Sequence, residues 1–283
     1  MRHQPSFWFA ALLLAILASM TVAPALWVAP SPASPDPHAC SIRSDTGEFQ
    51  DRLPPSSEHW FGTDLQGCDY YTQVIYGTRA SMVTGLVAVL IGGAIAIAFG
   101  GLAGFVGGWV DGSISRFTDV IFGIPAIVFA ILLLNFISGE NHSVLTVALV
   151  LGLLGWPFAL RLVRSSVQQV RSMPFIDASR LHGATTRRTI TRHVLPNALM
   201  PMIGYMTLAV GGAIVAEAGL SFLGVGLQAP TISWGQMIGT AQQRLSDLPY
   251  LLFFPSFFLS MTVLAFLIAG DVLRRHIDPS ATP

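Results

Sequence analysis

Six long apolar runs, separated by polar stretches of unequal character, organise this chain: residues 6–28, 81–107, 120–137, 144–160, 197–216 and 250–272. At a rise of about 1.5 Å per residue the first is long enough to cross about 30 Å of hydrocarbon, and the other five follow on hydropathy. The pattern predicts an all-α integral membrane protein with six transmembrane helices. Trp8 and Trp27 bracket the first run at the two levels where indole rings favour the membrane–water interface. A cleaved signal peptide is the competing reading of that run, with Ala23-Pro24-Ala25 as a small-residue site. The apolar run continues past that site, however, whereas a signal core is usually only about 7–15 residues.

The polar stretches set the expected organisation. Residues 30–80 are rich in proline and acidic side chains, which predicts a loop with short helices, not a compact domain. Residues 161–196 form a hydrophilic island with seven arginines (Arg161, Arg164, Arg171, Arg180, Arg187, Arg188 and Arg192) against a single acid, Asp177. An arginine-rich loop between spans belongs on the cytoplasmic side, and the acidic 30–80 stretch then lies outside. Six spans, with Arg2 at the start and Arg274 and Arg275 at the end, put both termini in the cytoplasm. The expected units are a first membrane helix with a cytoplasmic N-terminus at 1–29 and an extracytoplasmic loop at 30–80. A five-helix core at 81–272, containing the 161–196 loop, and a cytoplasmic tail at 273–283 follow.

Composition agrees. Hydrophobic residues make up 52% and charged residues 11% of the 283, with a mean hydropathy of +0.61, too little polar surface for a soluble domain. The net charge of +0 says nothing about nucleic acid, because the charges are segregated by side of the membrane. The sequence contains no lysine. A phosphate-binding P-loop needs one, so this chain is not by itself a P-loop ATPase.

Several positions stand out as candidates. Ala96, Gly100, Gly104 and Gly108 repeat small residues at every fourth place, which favours a helix-packing seam over a substrate groove. Asn135 is the polar side chain deepest within a span; it either faces a path or makes an interhelical hydrogen bond. Glu217 sits near the outer end of the fifth span, where its charge can reach water, as a gate, a loop anchor or an interfacial residue. Within the arginine-rich island, Pro174 suits a helix start over 175–182, Gly183 a left-handed end, and Thr185 or Thr186 the cap of a second helix that Pro196 interrupts. Such a short helix, with small Ala178 and Ser179 on its surface, can enter a shallow cleft on another protein; a basic helix lying on anionic lipid is the alternative. Other signals carry little. Gly224 to Ala229 matches a dinucleotide-binding pattern, but Pro230 blocks the helix that should follow and no strand precedes it. The histidines show no close metal-ligand pairing, so no metal site is expected.

The order Asp177-Ala178-Ser179, Gly183, Leu195-Pro196 resembles the EAA…G…LP loop of bacterial ABC importer permeases. The segment from His59 to Arg79 resembles the GTDxxGRD region of the peptide/nickel branch of that family. Glu217-Ala218-Gly219-Leu220-Ser221-Phe222-Leu223-Gly224-Val225-Gly226, then Pro230 and Ser233-Trp234-Gly235, resembles its E-x-G-LSFLG-x-G…P…SWG signature. The end, Gly270-Asp271-Val272-Leu273-Arg274 through Asp278-Pro279, fits as well. The chain is thus similar to C-type permeases of dipeptide and oligopeptide importers. That resemblance implies a type I ABC importer permease, a non-catalytic transport subunit in a bacterial cytoplasmic membrane. Implied partners are a second homologous permease, two ATP-binding subunits that carry ATP and magnesium, and an extracytoplasmic substrate-binding protein. It implies ATPase coupling through Phe175, Ile176, Asp177, Ala178, Ser179, Arg180, His182, Gly183 and Ala184. A short peptide is the preferred cargo, with nickel, glutathione or another small solute as alternatives. A stand-alone channel or ion-coupled carrier would put ionisable groups inside the spans, and these hold almost none. A membrane-embedded enzyme would need convergent carboxylates or histidines, and none is found. The sequence departs from the pattern at Asp177 and Ser179, which replace a glutamate and an alanine, and at Cys68, where the branch usually has arginine. Cys40 and Cys68 are the only cysteines, both in the expected external segment, where an oxidising compartment permits either a bridge or two free thiols.

Overall fold

Proline and glycine, more than hydropathy, decide where the helices of this chain begin and end. A computed structural model describes residues 5–31, 33–40, 42, 50–139, 142–181 and 183–277. Among the described residues the regular elements are helical, with one isolated β-bridge between Thr63 and Asp69. The first apolar run is two helices, α1 (Pro5–Val22) and α2 (Pro24–Val28), broken at Ala23 because Pro24 has no N–H to continue the ladder. Residues 50–69 form turns, without the short helices expected there.

The second span begins well before its apolar run. Helix α3 (Tyr70–Val106) has 37 residues, about 55 Å at 1.5 Å each, and starts at Tyr70 instead of 81. Asp69 caps it, its carboxyl accepting the Thr72 N–H at 2.9 Å and the Thr72 hydroxyl at 2.8 Å. Thr72 and Thr78, two of the polar residues that hid this first part from hydropathy, are buried and satisfied, while Arg79 is exposed. The Thr78 hydroxyl donates to the Val74 carbonyl at 3.3 Å, and the Thr84 hydroxyl to that of Ala80 at 2.8 Å. At the far end Gly107 and Gly108, with φ of +73° and +58°, turn the chain into α4 (Gly108–Phe122).

The expected single span at 120–137 crosses a break. Pro125 removes a donor and pushes the residue before it out of helical geometry. α4 and α5 (Ala126–Ser138) therefore meet at 91°. Helix α6 (Val144–Arg171) starts where expected, capped by Ser143, but runs on through Arg171. The first part of the expected 161–196 loop is thus a rigid extension of a membrane helix. It is followed by α7 (Pro174–Leu181), α8 (Thr186–Thr189), a π-turn over Ile190–Val194, α9 (Leu195–Ala198) and α10 (Met200–Phe222). Pro196 does interrupt the ladder there, as a widened turn that lets the helical course continue into α10. α11 (Trp234–Ala241) and α12 (Pro249–Ile277) complete the chain. Among the described residues four helices, α3, α6, α10 and α12, are long and apolar enough to cross a membrane; the bent α4–α5 pair makes a fifth if taken as one span, and α1 is a shorter apolar helix. The described helices thus give four or five spans and one shorter apolar helix where six spans were expected.

Glycine contacts fix the packing directions. A Cβ added at Gly92, Gly100 or Gly104 would meet the carbonyls of Gly152, Leu160 and Arg164 at 3.1, 2.8 and 2.7 Å, so α3 and α6 run parallel in one register. Gly85 against Ile214 and Gly93 against Met206 make α10 antiparallel to α3, and Gly204 against Arg274 with Gly270 against Leu208 make α12 antiparallel to α10. One end of the bundle gathers the 50–69 turns, α11 and the start of α12. There the Tyr70 hydroxyl donates to the Leu251 carbonyl at 2.6 Å and the Tyr250 hydroxyl to that of Thr63 at 2.8 Å. The other end gathers the last turns of α6, then α7 to α9, and the C-terminal turns of α12.

Candidate functional site

At that second end the chain builds an exposed hook. Ile176, on α7, has no exposed surface and packs into a cluster with Val163, Val167, Val194 and Met202. Burying one such side chain contributes about 1.5–3 kcal/mol, enough to seat a two-turn helix. The opposite face is presented outward: Phe175 is 43% exposed, Leu181 89% exposed, and Asp177 and Ala178 are exposed too. Gly183, φ +79°, ends the helix in the left-handed region, and the Ala184 N–H returns to the Ser179 carbonyl at 3.2 Å. Thr185 caps α8 by accepting the Arg188 N–H at 3.4 Å. His182 and the side chain of Arg180 lie outside the described residues.

Beside the hook, α4 is tied to the extension of α6 by pairs that charge counting did not suggest. Arg164 grips both carboxylate oxygens of Asp111, through Nε and, at 2.7 Å, through Nη2, and Gln168 adds a bond at 3.3 Å. Arg161 donates to Asp119 at 2.7 Å and lies 4.2 Å over the Phe122 ring. The signal in the sequence was two acids, Asp111 and Asp119, two turns apart on one short helix.

The small-residue stripe is partly a seam. Ala96, Gly100 and Gly104 are buried against α6 within the chain. Gly108 does not belong to it: it opens α4, and a Cβ there would meet nothing within 4 Å. Beside that seam, a cavity of about 550 Å³ lies between α3, α5, α6 and α10, walled by residues such as Ala88, Gly92, Ala130, Ala209, Ala213 and Ala216. Tyr205 is the only polar side chain among its lining residues.

Neither polar candidate in the spans lines that cavity. Asn135 is exposed, and its amide donates to the Ile131 carbonyl of its own helix at 3.0 Å; among the described residues it makes no interhelical bond. Glu217, expected to reach water, has no exposed surface at all. Its Oε1 accepts the Ser221 hydroxyl at 2.8 Å and its Oε2 the Ser81 hydroxyl at 3.1 Å. Its position on α10 faces α3 and α11, while Ala209, Ala213 and Ala216 face the cavity. Cys40 and Cys68 are joined as a disulfide, tying the 33–40 segment to the start of α3. Among the described residues no cluster of three or more potential metal ligands occurs.

Residues 96–283, two thirds of the chain, match the family model described as the binding-protein-dependent transport system inner membrane component. The chain belongs to that family. This permease is 41% identical over 244 residues to the dipeptide transport system permease protein DppC of Bacillus subtilis, covering 86% of this chain and 74% of the relative. It is 36% identical to the oligopeptide transport system permease protein OppC of the same organism, and 38% identical to the glutathione transport system permease protein GsiD of Shigella flexneri. Each of those two matches covers 80% of this chain and 73% of the relative. The inward-facing MetNI methionine ABC transporter superposes with a TM-score of 0.60 over 72% of this chain and 96% of that one, at 20% identity, which speaks for a shared fold alone. The protein is a multi-pass membrane permease subunit of an ABC importer with the type I fold.

Proposed function

We propose that this permease forms half of the translocation path of an ATP-driven importer of di- or oligopeptides, and that α7 is where a separate ATPase subunit grips it. The observation that carries the reading is the hook itself: Ile176 is rooted between α6 and α10 while Phe175, Ala178 and Leu181 stand outward. A push on α7 therefore acts directly on two membrane helices. The arginines collect at that end of the bundle, which supports a cytoplasmic placement for it and, with it, for both termini. Asp177, Ser179, Gly183 and Ala184 complete the gripped segment, together with Arg180 and His182. ATP and magnesium are held by two ATPase subunits, a second homologous permease closes the small-residue cavity, and an extracytoplasmic binding protein delivers cargo. Since Tyr205 is the only polar side chain on the cavity wall, cargo choice falls mainly to the binding protein. The relatives' printed names support peptides; the 38% identity to a glutathione permease supports a second reading in which the peptide-like solute is glutathione.

Two measurements test this. A cysteine introduced by Ala178→Cys, on the exposed face of α7, should crosslink to the ATPase subunit in the assembled complex. Gly183→Val should suppress peptide uptake with the chain still inserted. The added side chain meets open space, so the cost comes from the left-handed backbone, about 1–2 kcal/mol. Normal ATP-dependent uptake in Gly183→Val, or no crosslink from Ala178→Cys, refutes the docking assignment. Competition of labelled dipeptide uptake by glutathione separates the two cargoes.

A further inference from the structure

Glu217 is the ionisable side chain most deeply enclosed in the bundle, and docking through α7 makes no use of it. Its surroundings form a branched clasp. The Ser81 hydroxyl on α3 donates its hydrogen to Oε2 at 3.1 Å and accepts the Trp234 N–H at 3.3 Å. The Ser221 hydroxyl on α10 donates to Oε1 at 2.8 Å and accepts the Leu227 N–H at 2.9 Å. Each of these two hydroxyls thus has its hydrogen on the carboxyl and a lone pair on a backbone amide beyond α10. A carboxyl offers a separate acceptor oxygen to each of these serines and takes the Ser233 hydroxyl as well, whereas a glutamine offers one oxygen and turns a donor towards one of them. Leu227 lies in the middle of the 223–233 loop that follows α10 and Trp234 just beyond its end, so one side chain ties both the loop and the start of α11.

The backbone agrees with the side chains. A Cβ at Gly235 would fall 2.5 Å from the Ala218 Cα, and one at Gly226 would fall 2.5 Å from the Ser221 N, so the loop and α11 lie directly on the end of α10. Trp234 has no exposed surface, and its Nε1–H donates to the Val74 carbonyl of α3 at 3.0 Å. A buried carboxyl is costly among apolar helices, and simple packing would be served by an aliphatic residue. We propose that Glu217 is a positioning residue that clamps the 223–233 loop and α11 to α3 and α10, so that these outer ends move as one body during transport. The proposal rests on the transport reading above for its consequence, but not for the clasp itself.

The test uses the assembled transporter in lipid nanodiscs, with Glu217→Gln, Ser81→Ala, Ser221→Ala and the hydroxyl-retaining Ser81→Thr. Hydrogen exchange reads the clasp. Ser221→Ala should speed exchange near Leu227, Ser81→Ala near Trp234, and Glu217→Gln at both, by roughly ten-fold, the size expected for losing one buried hydrogen bond. ATPase activity with and without the binding protein reads the role. The ratio should fall several-fold in Glu217→Gln and Ser81→Ala through a raised basal rate, and stay near wild type in Ser81→Thr. Unchanged exchange in Glu217→Gln overturns the clasp. Faster exchange with an unchanged ATPase ratio overturns the positioning role. A wild-type complex without any binding-protein stimulation overturns the transport reading instead, and exchange still decides the clasp.

Discussion

Adding one methyl group at Gly104 should open the seam between α3 and α6. The new Cβ would sit 2.7 Å from the Arg164 carbonyl oxygen and 2.9 Å from the Val167 Cβ. A contact with backbone cannot be relieved by a rotamer change, so the helices must separate by several tenths of an ångström along a line where they now touch. Overpacking of this kind costs about 1–3 kcal/mol. On the scaling known for soluble domains that corresponds to a fall in Tm of roughly 3–10 °C. Gly100→Ala, one turn away and 2.8 Å from the Leu160 carbonyl, should cost a similar amount. The double variant should cost less than the sum, because a seam opened once has already relieved the second contact. Gly112→Ala is the control: it lies inside α4 with nothing within 4 Å of its Cβ, and should leave Tm unchanged or raise it through helix propensity. The assay is thermal unfolding of the purified protein in detergent, followed by far-ultraviolet circular dichroism. A Gly104→Ala protein that melts within a degree of wild type, or a Gly112→Ala protein that melts far below it, refutes the packing argument.

Two further predictions concern the ends of the bundle. Alkylation of the unreduced protein followed by mass spectrometry should modify neither Cys40 nor Cys68, and both after reduction; labelling without reductant contradicts the bridge. Closing a loop of 28 residues contributes about 3–4 kcal/mol in the chain-entropy picture, so Cys40→Ser with Cys68→Ser should lower Tm measurably. At the other end, a double-mutant cycle of Asp111→Asn and Arg164→Gln, read from Tm, should give a coupling of about 0.5–1 kcal/mol that shrinks as salt rises, as befits a paired but partly exposed bridge. Strict additivity of the two substitutions would show that the α4–α6 tie contributes nothing to stability.

The chain's own order of residues determined a good deal. Apolar runs fixed the class as helical and membrane-embedded, because only helices and closed barrels satisfy backbone polar groups in lipid and these long uninterrupted runs lack the alternation of barrel strands. Gly183 marked the end of α7 and Ser143 the start of α6, since each reflects a local rule of backbone geometry or capping. The motifs carried the family. Other features were local too but were outweighed by tertiary contacts. The first part of α3 looked like loop because Thr72, Gln73, Thr78 and Arg79 interrupt the apolar pattern, yet Thr72 and Thr78 are buried and their hydroxyls find partners. Residues 161–171 looked like loop because of their arginines, yet they continue α6, and Asp111 and Asp119 of α4 take up two of those charges. Glu217 looked like an interfacial charge because a sequence cannot say which way a helix faces. Only the register of α10 against α3, set by Gly85 beneath Ile214, turns it inward to meet Ser81, a residue 136 positions away.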